Sequence, residues 1–407
     1  MDDKKYTKEQ KGVLAVSMLT SFLTTFMGSA LNLSIPIIGN EFGASAALVS
    51  WIVTIYMLTC AVLAIPVGMV ADKMASKKIM CAGLLVFFVG SILILFSSNI
   101  YVFLGLRGVQ AVGASMLFAT NIAILAFTFK ENTRGKAIGL ATAANFSGLL
   151  AGPVLGGFIN YYLGWRYIFG ISAGISMVTM AFAVRYIGKG ENVNSAPKDY
   201  KNDIKRIMVN KGFVCANVAA FVVYGVVFGT NYLMSIYLQS VKGYTSQWAG
   251  VILLAAPIMQ TIFSLFGSKI LDRLSSRIIS SGAIIICGVS IFVLGFVDAK
   301  TSLSTLVIGM MIVGVGSALF SAPNTNMVMS SVDKGNYSLA SSILATMRSF
   351  GHTASMWVIT LFTKLNIGNM VLSKAPVESL IDTLNISLYF FAGLCIIGFF
   401  IALKGKS

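Results

Sequence analysis

The sequence predicts an all-helical membrane protein with twelve transmembrane helices in two halves of six. The first observation is composition: 57% of the 407 residues are hydrophobic and 11% are charged, whereas about a quarter of a soluble domain is charged. The second is that the apolar residues form runs of about 20 or more, the length of helix that crosses a bilayer. The third is an internal repeat of a charged motif. A chain of this kind has too little polar surface to remain in water.

The apolar runs follow one another along the chain, and each ends at charged or turn-forming residues. The first six helices are predicted near residues 13–39, 46–71, 78–97, 101–129, 136–161 and 166–187. The second six are predicted near residues 211–240, 246–271, 277–297, 302–330, 336–366 and 380–404. Each run is long enough for one spanning helix. The predicted domains are therefore two six-helix bundles at residues 13–187 and 211–404, with tails at residues 1–12 and 405–407.

A polar, basic segment at residues 188–210 separates the two halves. It is predicted to be a linker with one short amphipathic helix near residues 204–209. Lysine and arginine are concentrated in this linker and in the other segments on the same side of the membrane. Because positively charged loops remain in the cytoplasm, the linker and both termini are predicted to be cytoplasmic. Residues 1–11 are too polar to begin a signal peptide, and the short loops favour a prokaryotic plasma membrane.

Composition also argues against several classes of function. The net charge of +16 does not indicate nucleic-acid binding, because the basic residues lie in gaps between apolar runs. The five cysteines form no CxxC pair and there is one histidine, so no metal site, disulfide framework or cofactor is predicted. The sequence has no phosphate-binding GxxxxGK[ST] loop, and no cluster of catalytic side chains at membrane depth. Neither an enzyme nor a receptor or scaffold has a positive feature in its favour.

A charged motif between predicted helices 2 and 3 recurs two-thirds of the way along the chain. The first copy occupies residues 68–78 and the second occupies residues 268–277. Three charged positions align at one offset: Asp72 with Asp272, Lys73 with Arg273 and Lys77 with Arg277. The apolar runs around them align as well, which indicates an internal duplication. Repeated halves of hydrophobic helices are a common plan for secondary transporters.

Three motifs resemble those of the major facilitator superfamily. The first is the loop at residues 68–78. The second is the helix 4 segment at residues 104–114, which is similar to the family's Arg-x-x-Gln-Gly-x-Gly element, with Ala111 in place of the first glycine. The third is the helix 5 segment at residues 148–157, which resembles the motif of the superfamily's antiporters. Together with Pro323-Asn324, they look most like the drug:proton antiporter branch. That branch usually has fourteen helices, and here there are twelve.

The resemblance implies the major facilitator fold, alternating access and proton-coupled export of hydrophobic small molecules or drugs. It also implies roles for two sets of residues. A conformational latch would comprise Gly68, Asp72, Lys73, Lys77, Asp272, Arg273 and Arg277. A helix-packing seam would comprise Gly148, Gly152, Pro153, Gly156 and Gly157, because glycines four residues apart let another backbone approach. The implied partners are a small-molecule substrate, the lipid bilayer and protons, and the family default is a monomer.

Two arginines lie within predicted helices. Arg107 cannot lose its proton, and a charge at membrane depth is costly unless it faces water or a partner. With Gln110 it is predicted to serve coupling or line the cavity, as are Arg348 and His352 in helix 11. Other polar residues are candidate substrate contacts, or alternatively hydrogen-bonding links between helices: Asn32, Asn121, Asn145, Asn217, Tyr224, Asn231, Gln260 and Asn324.

The carboxylates leave a second hypothesis open. All fourteen lie in tails, loops or helix ends, and none is at mid-membrane. Met27 occupies the position where the fourteen-helix exporters carry an aspartate in helix 1. A proton antiporter needs a group that binds and releases a proton, for which His352 or Glu41 remains. The alternative is a carrier of organic anions in which Arg107 and Arg348 bind the substrate's charge.

Overall fold

The computed structural model describes residues 6–73, 76–129, 131–188, 200–271, 275–332 and 337–404. Within these ranges the long elements are all α-helices, and one isolated antiparallel bridge joins Ser45 to Val371. Three parts of the predicted tails and linker lie outside the described residues: 1–5, 189–199 and 405–407. The all-helical architecture confirms the fold class that composition and run length predict.

The helices of the first half follow the predicted apolar runs. They are α1 (Lys8–Ala30), α2 (Ile35–Glu41), α3 (Ala46–Lys73), α4 (Ser76–Leu95), α5 (Ile100–Thr128), α6 (Glu131–Tyr162) and α7 (Arg166–Tyr186). Helix α8 (Tyr200–Met208) falls where the short linker helix is predicted. Thr7 begins α1 with a capping box, in which its hydroxyl accepts from the amide of Gln10 and its own amide donates to the Gln10 side chain.

The second half repeats this order. Its helices are α9 (Lys211–Ile236), α10 (Ser246–Leu253), α11 (Ala255–Leu271), α12 (Ser276–Leu294), α13 (Leu303–Ser330), α14 (Tyr337–Asn366) and α15 (Val377–Lys404). In the described ranges, ten helical segments are long and apolar enough to cross a membrane. The two other long helices, α6 and α14, are richer in hydroxyl and charged side chains. They stand where helices 5 and 11 are predicted, so twelve spanning helices account for the described chain.

Proline divides two of the predicted helices. Predicted helix 1 is not continuous over residues 13–39: α1 ends at Ala30, a 3₁₀ turn covers Leu31–Leu33, and α2 begins at Ile35. Pro36 has no amide hydrogen to donate to the carbonyl of Asn32. The hydroxyl of Ser235 donates to that carbonyl instead, at 2.9 Å. Predicted helix 8 is likewise interrupted at Leu254, between α10 and α11 and just before Pro257.

The chain forms two compact units. Unit 1 comprises residues 1–31 and 59–197, and unit 2 comprises residues 32–58 and 198–407. Residues 32–58 of the first half thus pack with the second half. In unit 2 the amide of Ala46 donates to the carbonyl of Met370 at 2.9 Å, and the hydroxyl oxygens of Ser50 and Thr360 lie 2.5 Å apart. Ala46 also joins an apolar cluster that includes Ile367.

The duplication is visible in how each unit packs internally. In unit 1, a Cβ on Gly113 of α5 would lie 2.6 Å from the amide nitrogen of Phe87 and 2.7 Å from the carbonyl oxygen of Gly83. In unit 2, a Cβ on Gly316 of α13 would meet the same backbone atoms one repeat later, at Cys287 and Ala283. Small residues permit this close approach, and both units use it at corresponding positions.

Candidate functional site

Arg107 lies in the interior of unit 1, on α5, and its side chain is 1% exposed. Its guanidinium donates hydrogen bonds to the side-chain oxygen of Gln110 and, at 3.3 Å, to the backbone carbonyl of Met27 on α1. The guanidinium carbon also lies 5.7 Å from the ring centroid of Phe169, within the range of a cation–π contact. The charge is therefore held by neutral acceptors and an aromatic face.

Gln110 connects this arginine to α4. Its amide nitrogen donates to the Ser91 hydroxyl at 2.7 Å, and Ser91 donates to the carbonyl of Phe87 at 2.7 Å. Gly90 makes room for Gln110, because a Cβ there would lie 3.0 Å from the Gln110 backbone nitrogen. The chain of bonds fixes both Arg107 and Gln110 within the helix bundle of unit 1.

Met27 faces the same region and is fully buried. Its thioether sulfur accepts a hydrogen bond from the Ser172 hydroxyl at 2.8 Å. The related exporters carry an aspartate at this position, whereas Met27 is apolar. Arg107 therefore contacts the backbone carbonyl of Met27 and not a carboxylate. A carboxylate at this position would place a titratable group beside a permanent charge.

Asn121 links α5 to α1 further along unit 1. Its side-chain oxygen accepts from the Ser17 hydroxyl at 2.6 Å, and its nitrogen donates to the Ser21 hydroxyl at 2.8 Å. Of the two uses predicted for polar residues within the helices, these bonds fit the link between helices. Asn145, on α6, is half-buried.

The glycines predicted to form a seam lie against α1. A Cβ on Gly148 would lie 2.5 Å from the carbonyl oxygen of Phe22, and one on Gly156 would lie 2.7 Å from that of Ala30. A Cβ on Gly152 would overlap the hydroxyl of Ser29. Pro153 and Gly157 belong to the same stretch of α6. The seam is thus a close contact between α1 and α6, and its movement during transport stays a prediction.

A second polar cluster lies in unit 2, where α9, α13 and α14 meet. The guanidinium of Arg348 on α14 lies over the ring of Tyr224 on α9, 4.5 Å from its centroid, and donates to the Thr325 hydroxyl on α13 at 3.1 Å. The hydroxyls of Tyr224 and Ser321 are 2.9 Å apart. Arg348, Tyr224 and Ser321 are all half-buried, so this cluster keeps an accessible side.

His352 extends the cluster by one turn of α14. Its ring stacks on Phe228 of α9 with centroids 4.6 Å apart and lies 6.4 Å from the ring of Tyr224. Phe320 of α13 meets Tyr224 edge to face at 6.1 Å. Two cationic or titratable side chains and three phenyl or phenol rings are thus gathered on three neighbouring helices.

Several buried polar atoms on these three helices have no hydrogen-bond partner among the described residues. Asn324 on α13 is 1% exposed, and neither its side-chain nitrogen nor its oxygen is bonded. The Nε of Arg348 and the side-chain oxygen of Asn217 are likewise unbonded. Buried polar groups in proteins are normally paired. The unbonded atoms of Asn324, Arg348 and Asn217 are exceptions to this rule.

The remaining candidates in unit 2 lie at other points. The amide of Asn231 donates to the carbonyl of Val227 within α9 at 2.9 Å. Gln260 on α11 donates to the Ser317 hydroxyl on α13 at 2.9 Å. Asn32 lies in the turn between α1 and α2, where its carbonyl binds Ser235. The first bond lies within one helix, the second joins two helices and the third joins a turn to a helix. None of the three involves a residue of the Arg348 cluster.

The predicted latch is described in part. Asp272 and Arg273, and the side chains of Asp72 and Lys73, lie outside the described residues. Lys77 at the start of α4 donates to the carbonyls of Val184 and Ile187 at 2.8 and 2.5 Å, which caps the C-terminal end of α7. Gly68 has open space where a Cβ would be, and Arg277 is half-buried. The latch itself stays a prediction.

Sequence reasoning missed the neutral residues that line the two clusters around Arg107 and Arg348. Ser91, Phe169, Ser321, Thr325 and Phe228 belong to residue types that are common in every helix, so composition did not single them out. One signal was available: Tyr224 and Phe228, like Arg348 and His352, are four residues apart and share a helix face. In the described ranges, no group of three or more His, Cys, Asp or Glu side chains is placed to hold a metal ion.

Two repeated helical units built from long apolar helices define a multi-pass membrane protein. The chain belongs to the major facilitator superfamily of transporters, because the sequence model of that family matches residues 17–356. The structure is similar to that of a bacterial homologue of the human lysosomal transporter Spinster, with a TM-score of 0.80, 14% identity and 98% of each chain covered. It is also similar to the nucleoside transporter NupG, with a TM-score of 0.72, 13% identity, and 98% of this chain and 100% of NupG covered.

Three relatives are similar in sequence over most of their length. The riboflavin transporter RibZ of Clostridioides difficile is 24% identical, with 96% of each chain covered. The chloramphenicol resistance protein CraA of Acinetobacter baumannii is 28% identical, with 83% of this chain and 82% of CraA covered. The methylenomycin A resistance protein of Streptomyces coelicolor is 22% identical, with 84% and 83% covered. The two resistance proteins confirm the resemblance to drug-efflux transporters.

Proposed function

We propose that this chain is a secondary transporter that exports hydrophobic organic molecules by alternating access, coupled to protons. The observation that carries this proposal is the half-buried cluster of Arg348, Tyr224 and His352, where aromatic rings and unpaired polar atoms meet on three helices. A ligand site that is mostly apolar, with a few placed polar groups, suits small organic molecules. The names of the relatives, which include two resistance proteins, support export.

Proton coupling requires a group that gains and loses a proton during the cycle. We propose His352 for this role, because an imidazole ring can bind and release a proton and this ring is part of the cluster on α9, α13 and α14. Arg107 then acts as a fixed charge inside unit 1, since it is buried and bonded to Gln110 and the Met27 carbonyl.

A carrier of organic anions is the second candidate, and the position of Arg348 favours it. This guanidinium is accessible and its described contacts are neutral. Arg107 is not exposed enough to touch a substrate. In this version Arg348 alone binds the substrate's charge, and no helix 1 carboxylate is needed.

The rest of the proposal follows the family and the charge pattern. We propose that the protein works as a monomer in the plasma membrane of a prokaryote, with both termini cytoplasmic. The two six-helix bundles at residues 13–187 and 211–404, joined by the linker at residues 188–210, would be the moving parts. The charged loops around Lys77 and Arg277 would form the latch between conformations.

The test is flux in vesicles that contain the purified protein. A pH gradient and a membrane potential are imposed separately, and movement of riboflavin, chloramphenicol and the organic anion 2-naphthoate is followed. We expect movement of at least one solute under the pH gradient and its loss in His352→Gln. Flux of naphthoate that follows only the membrane potential and is lost in Arg348→Gln would favour the anion carrier. No flux of any of the three solutes under any gradient would contradict both candidates.

Met27→Asp provides a further arm of this test. A carboxylate beside Arg107 would supply the proton-binding group that helix 1 lacks. We expect a stronger dependence of flux on the pH gradient in this variant than in Met27→Asn, which has the same shape and cannot ionise. Equal pH dependence in the two variants would show that position 27 does not take part in coupling.

A further inference from the structure

We infer that the cluster on α9, α13 and α14 binds a planar aromatic molecule that carries a carboxylate or another acidic group. The inference rests on the proposed function and names aromatic acids as the class of hydrophobic molecule that is moved. The residues that carry it are Arg348, Tyr224, Phe228, His352 and Asn324. Charge, ring surface and unpaired polar atoms each point to the same ligand.

The first argument is charge. Arg348 lies twelve positions into α14, well inside a helix that crosses the membrane. Its described contacts are the Thr325 hydroxyl and the Tyr224 ring, and neither carries a negative charge. A guanidinium binds a carboxylate through two parallel hydrogen bonds. An anionic ligand would therefore supply the counter-charge that the described part of unit 2 does not place beside this arginine.

The second argument is the ring surface around the guanidinium. Tyr224 lies beneath Arg348, and the stacked pair of Phe228 and His352 follows one turn further along α9 and α14. Tyr224, Phe228 and His352 are half-buried, so part of each ring is accessible. Flat aromatic ligands pack well against such rings, because offset stacking and edge-to-face contacts are both favourable. An aliphatic acid would gain the charge contact but not these contacts.

The third argument is the unpaired polar atoms. The Nε of Arg348 is an unused donor, and the side chain of Asn324 offers one unused donor and one unused acceptor. Asn324 is the sequence neighbour of Thr325 and lies about one turn from Ser321, the two α13 residues that contact the cluster. A buried polar group without a partner costs about 1–3 kcal/mol. A ligand with an acidic oxygen and a further polar group would satisfy these atoms.

The experiment measures binding of four probes to the purified full-length protein by isothermal titration calorimetry. Three probes share one ring system and differ in charge: 2-naphthoate, 2-naphthalenemethanol and 2-naphthylmethylammonium. The fourth, cyclohexanecarboxylate, keeps the acid and lacks the aromatic ring. We expect naphthoate to bind about tenfold or more tightly than each of the other three, the factor that one charged hydrogen bond supplies.

Substitutions then assign the binding to this cluster. Arg348→Gln is expected to abolish the preference for naphthoate over naphthalenemethanol, whereas Arg348→Lys keeps the charge and retains a weaker preference. Tyr224→Leu is expected to reduce the preference for naphthoate over cyclohexanecarboxylate. The matched control is Arg185→Gln, because Arg185 also lies over a tyrosine ring, that of Tyr186, but on an exposed face of α7. Thermal unfolding of each variant shows that it remains folded.

The outcomes separate this inference from the proposed function. Equal binding of the three naphthalene probes, or naphthoate binding unchanged in folded Arg348→Gln, would overturn the inference even if riboflavin or chloramphenicol crosses vesicles. Naphthoate binding that depends on Arg348, in a protein that moves no solute, would support the site and refute transport. Binding and flux of naphthoate that are both lost in Arg348→Gln would support the two together.

Discussion

Arg107 and Arg348 show how the same residue type serves two purposes. Arg107 is enclosed in unit 1 and bonded to Gln110 and a backbone carbonyl, so its charge organises the interior. Arg348 is half-buried in unit 2, where it contacts the Thr325 hydroxyl and the Tyr224 ring. Sequence position alone placed both within helices but did not distinguish them. The difference lies in the side chains that neighbouring helices present to each arginine.

The residue-scale prediction concerns Gln110. Gln110→Leu removes an acceptor from Arg107 and leaves a buried charge with fewer partners. We expect the free energy of unfolding to fall by about 1–3 kcal/mol, because an unsatisfied buried group bears its full desolvation cost. The measurement is thermal or denaturant unfolding in detergent.

The control for Gln110 is a double substitution. Arg107→Leu together with Gln110→Leu removes both polar partners, and replacing both is less costly than stranding one. The double variant should therefore be more stable than Gln110→Leu alone. A double variant that is less stable than the single one would contradict the account given for Arg107.

At the scale of helices, the contact between α1 and α6 depends on glycine. Gly148, Gly152 and Gly156 lie on one side of α6 and leave no room for a Cβ beside α1. Unit 2 has a corresponding contact, in which a Cβ on Gly351 of α14 would overlap the carbonyl oxygen of Phe221 on α9. A four-residue spacing of glycine predicted such an approach. The partner helix could not be predicted, because a glycine stripe carries no information about which surface it meets.

The element-scale prediction is that Gly152→Ala separates α1 from α6. The added methyl would overlap the Ser29 hydroxyl and lie 2.7 Å from its Cβ. We expect a loss of about 1–3 kcal/mol in unfolding free energy, the usual effect of overpacking, and reduced flux. Ser29→Gly in the same chain should restore part of the loss by removing the obstructing side chain.

Gly174→Ala is the matched control for this seam. Gly174 lies in α7, is exposed and has nothing within 4 Å of a built Cβ. Alanine favours helix over glycine by about 1 kcal/mol, so this variant should be as stable as the unmodified protein or slightly more so. Equal stability losses in Gly152→Ala and Gly174→Ala would show that the seam is not tightly packed.

At the scale of the whole molecule, residues 32–58 belong to the first half of the sequence but pack within unit 2. The hydroxyls of Ser50 on α3 and Thr360 on α14 are in contact there. Alternating access requires the two halves to change their contacts during the cycle. A contact between segments from the two halves is therefore one that transport should break and remake.

The whole-molecule prediction is a reversible crosslink at this contact. Ser50→Cys with Thr360→Cys should form a disulfide on mild oxidation, because the two hydroxyl oxygens are 2.5 Å apart. We expect oxidation to stop the flux of whichever solute the unmodified protein moves, and a reductant to restore it. Either single variant should be unaffected by oxidation. Full flux in the crosslinked protein would show that this contact persists through the cycle.

The sequence by itself determined the fold class and the superfamily. Run length predicted the long helices to within a few residues, since about 20 apolar residues are needed to cross a bilayer. Two breaks were missed, at Leu31–Ser34 and at Leu254, although Pro36 and Pro257 are visible in the sequence. Proline is tolerated inside α3, α6 and α13, so its presence alone does not decide whether a helix continues.

Only the tertiary structure decided which polar residues come together. It brought Tyr224, Ser321, Thr325, Arg348 and His352 together from three helices, and it bound Asn121 to α1 instead. The physical reason is that every spanning helix needs an apolar surface toward the lipid, so each spanning segment is recognisable from its own residues. Which interior side chains meet depends on how helices far apart in sequence pack, and no local pattern encodes it.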